Sequence, residues 1–267
     1  MRHILLHPGF HRTGTSSIQH FLWMNRQVLA PHVTIRLTRH FKPLAQKCHR
    51  YAQNQNPLDL TELLDALDQG FAENPVPTDR DLLVSSESFC GDIPGHQSIS
   101  DYSAAPALIT YIASYLAERF PDAAVRILLT TREAQPWLTS TYRHVLRRNR
   151  ITLTEAEFAA QYTAAGDLGA VVRDIAAAIV PLETLYLPLE LAQTADLGPG
   201  AAVLEQLPMP DHIWENLKPV GIGAAGAAPH VWGQFLAMNR SDQSDDEVSA
   251  QKEQMAEAAK LGHWRMA

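Results

Sequence analysis

The chain has 267 residues, 46% of them apolar and 19% charged, enough for one α/β domain with a sizeable core and at most a small helical appendage. A net charge of −7 gives no general attraction to nucleic acid or to a polyanionic glycan, and no apolar run approaches the ~20 residues that a membrane-spanning helix needs. The two cysteines, Cys48 and Cys90, lack metal-ligand spacing, and the first apolar run is too short for a signal peptide, so the expectation is a cytoplasmic protein with two reduced thiols.

The first element is a short buried strand, Ile4-Leu5-Leu6, which leads into His7-Pro8-Gly9-Phe10-His11-Arg12-Thr13-Gly14-Thr15-Ser16-Ser17 and then into a helical pattern. That helix is predicted over 14–29, with Ile18, Phe21, Leu22, Val28 and Leu29 near one face and Pro31 ending it. A second strand follows at 33–37. The pattern weakens from 38 to 77, apart from a polar loop at 53–57 and an amphipathic helix over 58–71; an insertion of this kind between strands is a place where an acceptor pocket is shaped.

Leu82-Leu83-Val84 reads as a central strand ending in Ser85-Ser86-Glu87. A helix over 103–120 is broken by Pro121-Asp122, and a strand over 125–131 carries Arg132 at its carboxyl end. Strand, helix and strand in this order imply right-handed crossovers and a parallel sheet, with ligands bound beyond the carboxyl ends of the strands. Residues 7–17, Glu87 and Arg132 all converge there. Helices are predicted over 137–149, 154–162 and 168–179, and a last strand over 184–187. The basic run at 143–150 is either a solvated helix face or the rim of an anion site. Residues 1–240 form the α/β domain and 241–267 a helical tail, whose helix at 244–261 reads as solvated, with acids early and lysines later.

The turn after the first strand is an anion trap in chemical terms. The leading N–H groups of a helix have no partner within it, and the aligned peptide dipoles add roughly half a positive charge. Gly9 and Gly14 have the spacing of a nucleotide-binding P-loop, but Thr15 stands where the lysine belongs, and a cation appears earlier, at Arg12. Losing that lysine argues against ordinary nucleoside triphosphate chemistry. The run Arg12-Thr13-Gly14-Thr15-Ser16 resembles the 5′-phosphosulfate loop of sulfotransferases that use 3′-phosphoadenosine 5′-phosphosulfate (PAPS), whose common form is [K/R]-[T/S]-G-T-[T/S]. The resemblance implies a three-layer, P-loop NTPase-like α/β fold with a central parallel sheet flanked by helices.

The same resemblance asks for a second anion grip, away from the first loop, for the phosphate on the donor's ribose. Arg132 at a strand end, Ser140 eight positions later and Tyr142 two beyond resemble the family's 3′-phosphate motif, although the proline usual soon after the arginine is displaced to Pro136. Donor binding is thereby assigned to Gly9, Arg12, Thr13, Gly14, Thr15, Ser16, Arg132 and Ser140. Lys218 with the glycines at 221–226 is a further phosphate-facing candidate.

Sulfuryl transfer to a hydroxyl or amine needs an activated acceptor and stabilised charge on the departing oxygens. Arg12 is the electrostatic stabiliser. Glu87, placed where family members present a Glu or a His, is the base, and His11 the runner-up, ahead of His7, His96 and His144. No metal is expected, since no His/Cys/Asp ligand cluster is visible along the chain. The acceptor implied by the family is a carbohydrate, lipid or small-molecule hydroxyl. Two other readings stay open: a P-loop kinase or NTPase, and a non-catalytic nucleotide-binding protein of the same fold.

Overall fold

The computed structural model describes residues 1–220 and 229–259. Five parallel strands form one sheet: β1 (Arg2–His7), β2 (Val33–Leu37), β3 (Asp81–Ser85), β4 (Ala123–Thr131) and β5 (Glu183–Pro188), in the spatial order β2-β3-β1-β4-β5. Between β1 and β3 lie helices α1 (Thr15–Met24), α2 (Arg26–Leu29), α3 (Lys42–Asn54) and α4 (Pro57–Glu73). Helix α5 (Ala105–Arg119) precedes β4; α6 (Ala134–Arg148), α7 (Glu155–Gln161) and α8 (Leu168–Ala178) precede β5. Then come α9 (Leu189–Ala192), α10 (Pro199–Leu204), α11 (Asp211–Trp214), α12 (Pro229–Asn239) and α13 (Asp245–Ala258).

Side chains alternate across a strand, so an unbroken apolar run is what a sheet covered on both faces requires. Ile4, Leu6, Leu82, Val84, Ile127 and Leu129 join one core beneath α3, α4, α5 and α8, while Leu5, Leu83 and Leu128 join another beneath α1 and α10. The result is the expected α/β architecture, a central parallel sheet flanked by helices in three layers. β1 sits between β3 and β4, in a register that pairs His7 with Ser85 and Leu6 with Ile127. The loop after β1 therefore emerges at the middle of the sheet's carboxyl edge. Among the described residues, no helix is long and apolar enough to cross a membrane.

The helix predicted over 14–29 is interrupted. Asn25 donates its side-chain amide to the carbonyls of Phe21 and Lys218, both at 3.0 Å, and accepts from the Lys218 N–H at 2.8 Å. A side chain bonded to backbone in this way competes with the helix, and α2 restarts after it.

The C-terminal helix also differs from the solvated element expected of it. Val248, Lys252 and Ala256 of α13 are buried, and Ala256 packs with Tyr142 and Leu146 of α6 and Phe235 of α12. The basic run at the end of α6 and just beyond it meets this helix through Arg147–Glu253 and Arg150–Asp245 ion pairs. Lys252 donates to the carbonyls of Leu146 and Asn149 and to Asn239 Oδ1, each at 3.0 Å, and so closes the carboxyl end of α6. Burial, then the Arg150 charge, pulls its pKa down to about 8, which leaves it charged at neutral pH. Lys252→Met strips three acceptors of their donor and is expected to cost about 2–3 kcal/mol. A urea midpoint unchanged from that of the unaltered protein would show the three bonds to be energetically idle.

His7 carries a second testable consequence. Its ring is fully buried, with Nδ1 2.8 Å from Ser85 Oγ and Nε2 3.2 Å from Thr130 Oγ1, so it spans the ends of β3 and β4. Burial pushes its pKa down to about 4. The unfolded chain then takes up a proton near pH 6.5, while the folded one does not until about pH 4. Stability is complete above the unfolded value and falls as the pH drops through that window, by about 3 kcal/mol from this group. Urea unfolding between pH 7 and pH 4 measures the loss, and His7→Gln is expected to remove this share of the slope.

Candidate active site

The loop from Pro8 to Gly14 is held from beneath by its own carbonyl oxygens. Gly9 O accepts from Thr130 N at 2.8 Å and from Thr130 Oγ1 at 3.0 Å. Phe10 O accepts from Thr13 Oγ1 at 2.6 Å, His11 O from Trp137 Nε1 at 2.9 Å, and Arg12 O from Arg132 Nη1 at 3.3 Å. Four successive acceptors are thus committed to the protein. The first bond inside α1 runs from Ile18 N to Gly14 O, which leaves the amides of Thr15, Ser16 and Ser17 without an acceptor in the helix. With its carbonyls occupied, the loop offers N–H groups and cations to whatever lies above it, which is the polarity an anion requires.

Three residues of the turn have positive φ: Gly9 at 136°, Arg12 and Gly14. Gly14, at φ 91°, is also approached by α9: a Cβ there would be strained by the backbone and would lie 2.6 Å from Leu189 Cδ1, pushing that side chain aside. Arg12, at φ 65°, holds the same region at a strain cost of order 1–3 kcal/mol, against which its carbonyl bond to Arg132 and its side-chain bond to Ser140 stand.

The structure brings Arg12, Arg132 and Ser140 together. Arg12 Nε donates to Ser140 Oγ at 3.0 Å, and Arg132 touches the Arg12 carbonyl. The second grip is therefore not away from the loop, as sequence reasoning placed it, but in contact with it. α6 starts only two residues beyond Arg132, despite the displaced Pro136, and carries Ser140 back over the loop. Crowding by protein and then the Arg132 charge lower the pKa of Arg12, and Glu87 raises it; burial lowers that of Arg132, and Glu190 raises it. Both guanidiniums remain charged at any working pH.

Other assignments are corrected. Thr13 is fully buried, its hydroxyl shared between Phe10 O and Thr130 Oγ1, the latter at 2.6 Å, so its side chain builds the loop and does not face a ligand. Gly9 is buried and bends the turn, as its type suggests. Tyr142 is turned away, donating to Leu153 O at 3.1 Å. Thr15 is buried at the helix start, and Ser16 is exposed beside it. The glycines at 221–226 lie outside the described residues, while Lys218 is tied to Asn25 through its backbone.

On the far side of Arg12, Glu87 opens a short 3₁₀ turn after β3 and is half-buried. Its Oε2 accepts from Gln19 Nε2 of α1 at 2.6 Å. His11 Nδ1 lies 3.2 Å from the Tyr102 hydroxyl. Burial lowers the His11 pKa to about 4, Glu87 and Asp92 pulling it up and His49 and Arg12 down, so the ring is neutral at pH 7. His11, His49 and Asp92 have potential ligand atoms within 4.8 Å of one another, a cluster that the chain order conceals because its members come from three separate segments. Gln19, Tyr102, Trp137 and Thr130 also escaped sequence reasoning; each looks like an ordinary core or helix residue until the strands are assembled.

A cavity of about 710 Å³ opens on the other side, beyond the ends of β4 and β5. Arg132, Arg173, Tyr186, Pro188 and Glu190 are among its walls. Its size falls within the range of small-molecule and cofactor sites.

No family model matches the chain, and no curated protein matches it. Among solved structures, a sulfotransferase from Alicyclobacillus acidocaldarius is similar over 97% of this chain and 95% of its own, at 16% sequence identity and a TM-score of 0.49.

Proposed function

We propose that the chain is a sulfotransferase that moves the sulfuryl group of PAPS to a hydroxyl or amine of a carbohydrate, lipid or small-molecule acceptor. The observation that carries this reading is the contact between the two grips: Arg12 bonded to Ser140, and Arg132 bonded to the Arg12 carbonyl. Both phosphates of a ribose 3′,5′-bisphosphate hang from one small ring, so a protein that grasps both needs its cations side by side. The loop amides and Arg12 take the 5′-phosphosulfate, Arg132 and Ser140 the 3′-phosphate, and the cavity beside Arg132 receives the base. The missing P-loop lysine speaks against a triphosphate in the same cradle.

In this reading the acceptor enters from the side of Glu87 and His11. Its oxygen forms a bond to sulfur as the bond from sulfur to the bridging phosphate oxygen breaks. The acceptor proton passes to Glu87, and the electron pair of the broken bond leaves on adenosine 3′,5′-bisphosphate. Arg12 opposes the charge that grows on the sulfuryl and bridging oxygens. The leaving phosphate is a weak base and needs no proton donor.

Calorimetry with adenosine 3′,5′-bisphosphate, followed by transfer of labelled sulfate from PAPS to mixed acceptors, tests binding and catalysis in turn. Tight binding without transfer would leave a nucleotide-binding protein; magnesium-dependent ATP turnover would overturn the reading. Arg132→Ala is expected to weaken the bisphosphate by about 1.5–3 kcal/mol, the worth of a charged hydrogen bond. Adenosine 5′-phosphosulfate, which lacks the 3′-phosphate, is expected to lose less, only what the Arg132 bond to the Arg12 carbonyl gives the loop, and an equal loss for it would remove Arg132 from that role.

A further inference from the structure

Next to the proposed transfer centre lies a group of side chains that transfer with Glu87 as base does not use. His11 comes from the loop, His49 from α3 and Asp92 from the segment after the turn that Glu87 opens. One potential ligand atom from each lies within 4.8 Å of the others. We propose that His11, His49 and Asp92 bind a divalent transition-metal ion, with zinc the best match to two imidazoles and one carboxylate.

Three further features fit that use. His49 Nε2 is buried and has no hydrogen-bond partner, a costly arrangement for a ring nitrogen unless something else meets its lone pair. His11 Nδ1 is engaged by the hydroxyl of fully buried Tyr102, which fixes the ring and leaves Nε2 as the ligand atom, as metal-bound histidines are held by their second nitrogen. Asp92 is buried, and its Oδ2 lies 2.6 Å from Nδ1 of His96, an outer partner of the kind that orients ligating carboxylates. The carboxylate adds an oxygen donor to a site otherwise made of two imidazole rings.

Zinc bonds of about 2.0–2.2 Å to nitrogen and oxygen set tetrahedral ligand atoms roughly 3.3 Å apart. Each side chain therefore has to close by about an ångström at most, within the reach of a small rotation. Three protein ligands leave a fourth position for water or for a substrate oxygen, the pattern of open zinc sites. Nitrogen bound to an ion cannot take up a proton, so a filled site leaves Glu87 as the base. The ion site itself stands on its own geometry and is independent of which donor occupies the loop.

The test uses the full chain, stripped of metal and titrated with Co(II) and then Zn(II). One equivalent of Co(II) is expected to give the visible absorption of a low-coordinate ion, which Zn(II) bleaches. His49→Gln and Asp92→Asn are expected to weaken Co(II) by at least the ~10- to 100-fold that loss of an outer-shell partner costs, and His96→Gln by about that amount. The His96 change replaces no ligand and guards against misfolding of the other two, which far-UV circular dichroism checks. His32→Gln serves as a control, because His32 and His212 stand 5.8 Å apart on another part of the surface and could gather metal adventitiously. Absence of a Co(II) signal, or a signal lost in His32→Gln and retained in His49→Gln and Asp92→Asn, overturns the proposal. Since the readout is metal binding, a positive result survives failure of the sulfotransferase assay, and a negative one leaves that assay's outcome intact.

Discussion

Arg12→Ala is expected to lower the rate of sulfuryl transfer by ~10²-fold or more, the loss typical of removing one preorganised charge stabiliser. The side chain is placed by two bonds before any ligand arrives, through its Nε to Ser140 and through its carbonyl to Arg132. Alanine keeps the carbonyl bond and so separates charge from loop shape. Binding of adenosine 3′,5′-bisphosphate is expected to suffer much less than turnover, because the growing charge on the sulfuryl group exists only on the way to product. Single-turnover rates at saturating donor measure the effect, and an unchanged rate would take Arg12 out of the chemistry. Arg12→Lys is expected to recover only part of it, since an ammonium cannot bond Ser140 and an anion in the planar fork that a guanidinium offers.

Glu87→Gln is the second large effect. A positioned base contributes about 10²–10⁴-fold, and the amide is nearly the same size but accepts no proton at any working pH. Gln19 already bonds one carboxylate oxygen at 2.6 Å, so the substituted side chain keeps a partner for its oxygen and the turn after β3 keeps its shape. Donor affinity is therefore expected to stay level while transfer collapses. Transfer that persists would move the base to His11, whose neutral ring sits on the same side of the loop.

The sheet was legible because its interior strands are covered on both faces. Ile4-Leu5-Leu6 and Leu82-Leu83-Val84 cannot alternate with polar residues when each side chain meets a helix layer. Helix α3 escaped because its inward stripe, Leu44, Ala45, Cys48 and Tyr51, is spaced correctly but is short and outnumbered by polar and charged residues. The break at Asn25 had no local signal at all, since one of its partners, Lys218, lies 193 positions away. The same division runs through the site. Arg12, Arg132 and Ser140, proposed from short motifs at strand-to-helix turns, come into contact because β1 and β4 are neighbours in the sheet. Thr13 was misread because the same residue type suits a ligand or a neighbouring strand, and only assembly brings Thr130 to its hydroxyl. His49, Asp92 and Tyr102 gather from segments with nothing in common along the chain, so no spacing announces them.

The committed carbonyls of residues 9–12 bear on how the molecule meets its ligand. A turn so fastened gives up its disorder during folding, and a ligand bound there has little left to tame. Such a cradle is also unforgiving: it cannot drift after a misplaced guest, and under the proposed function a donor whose anionic groups are spaced differently is turned away by rigidity, without any clash.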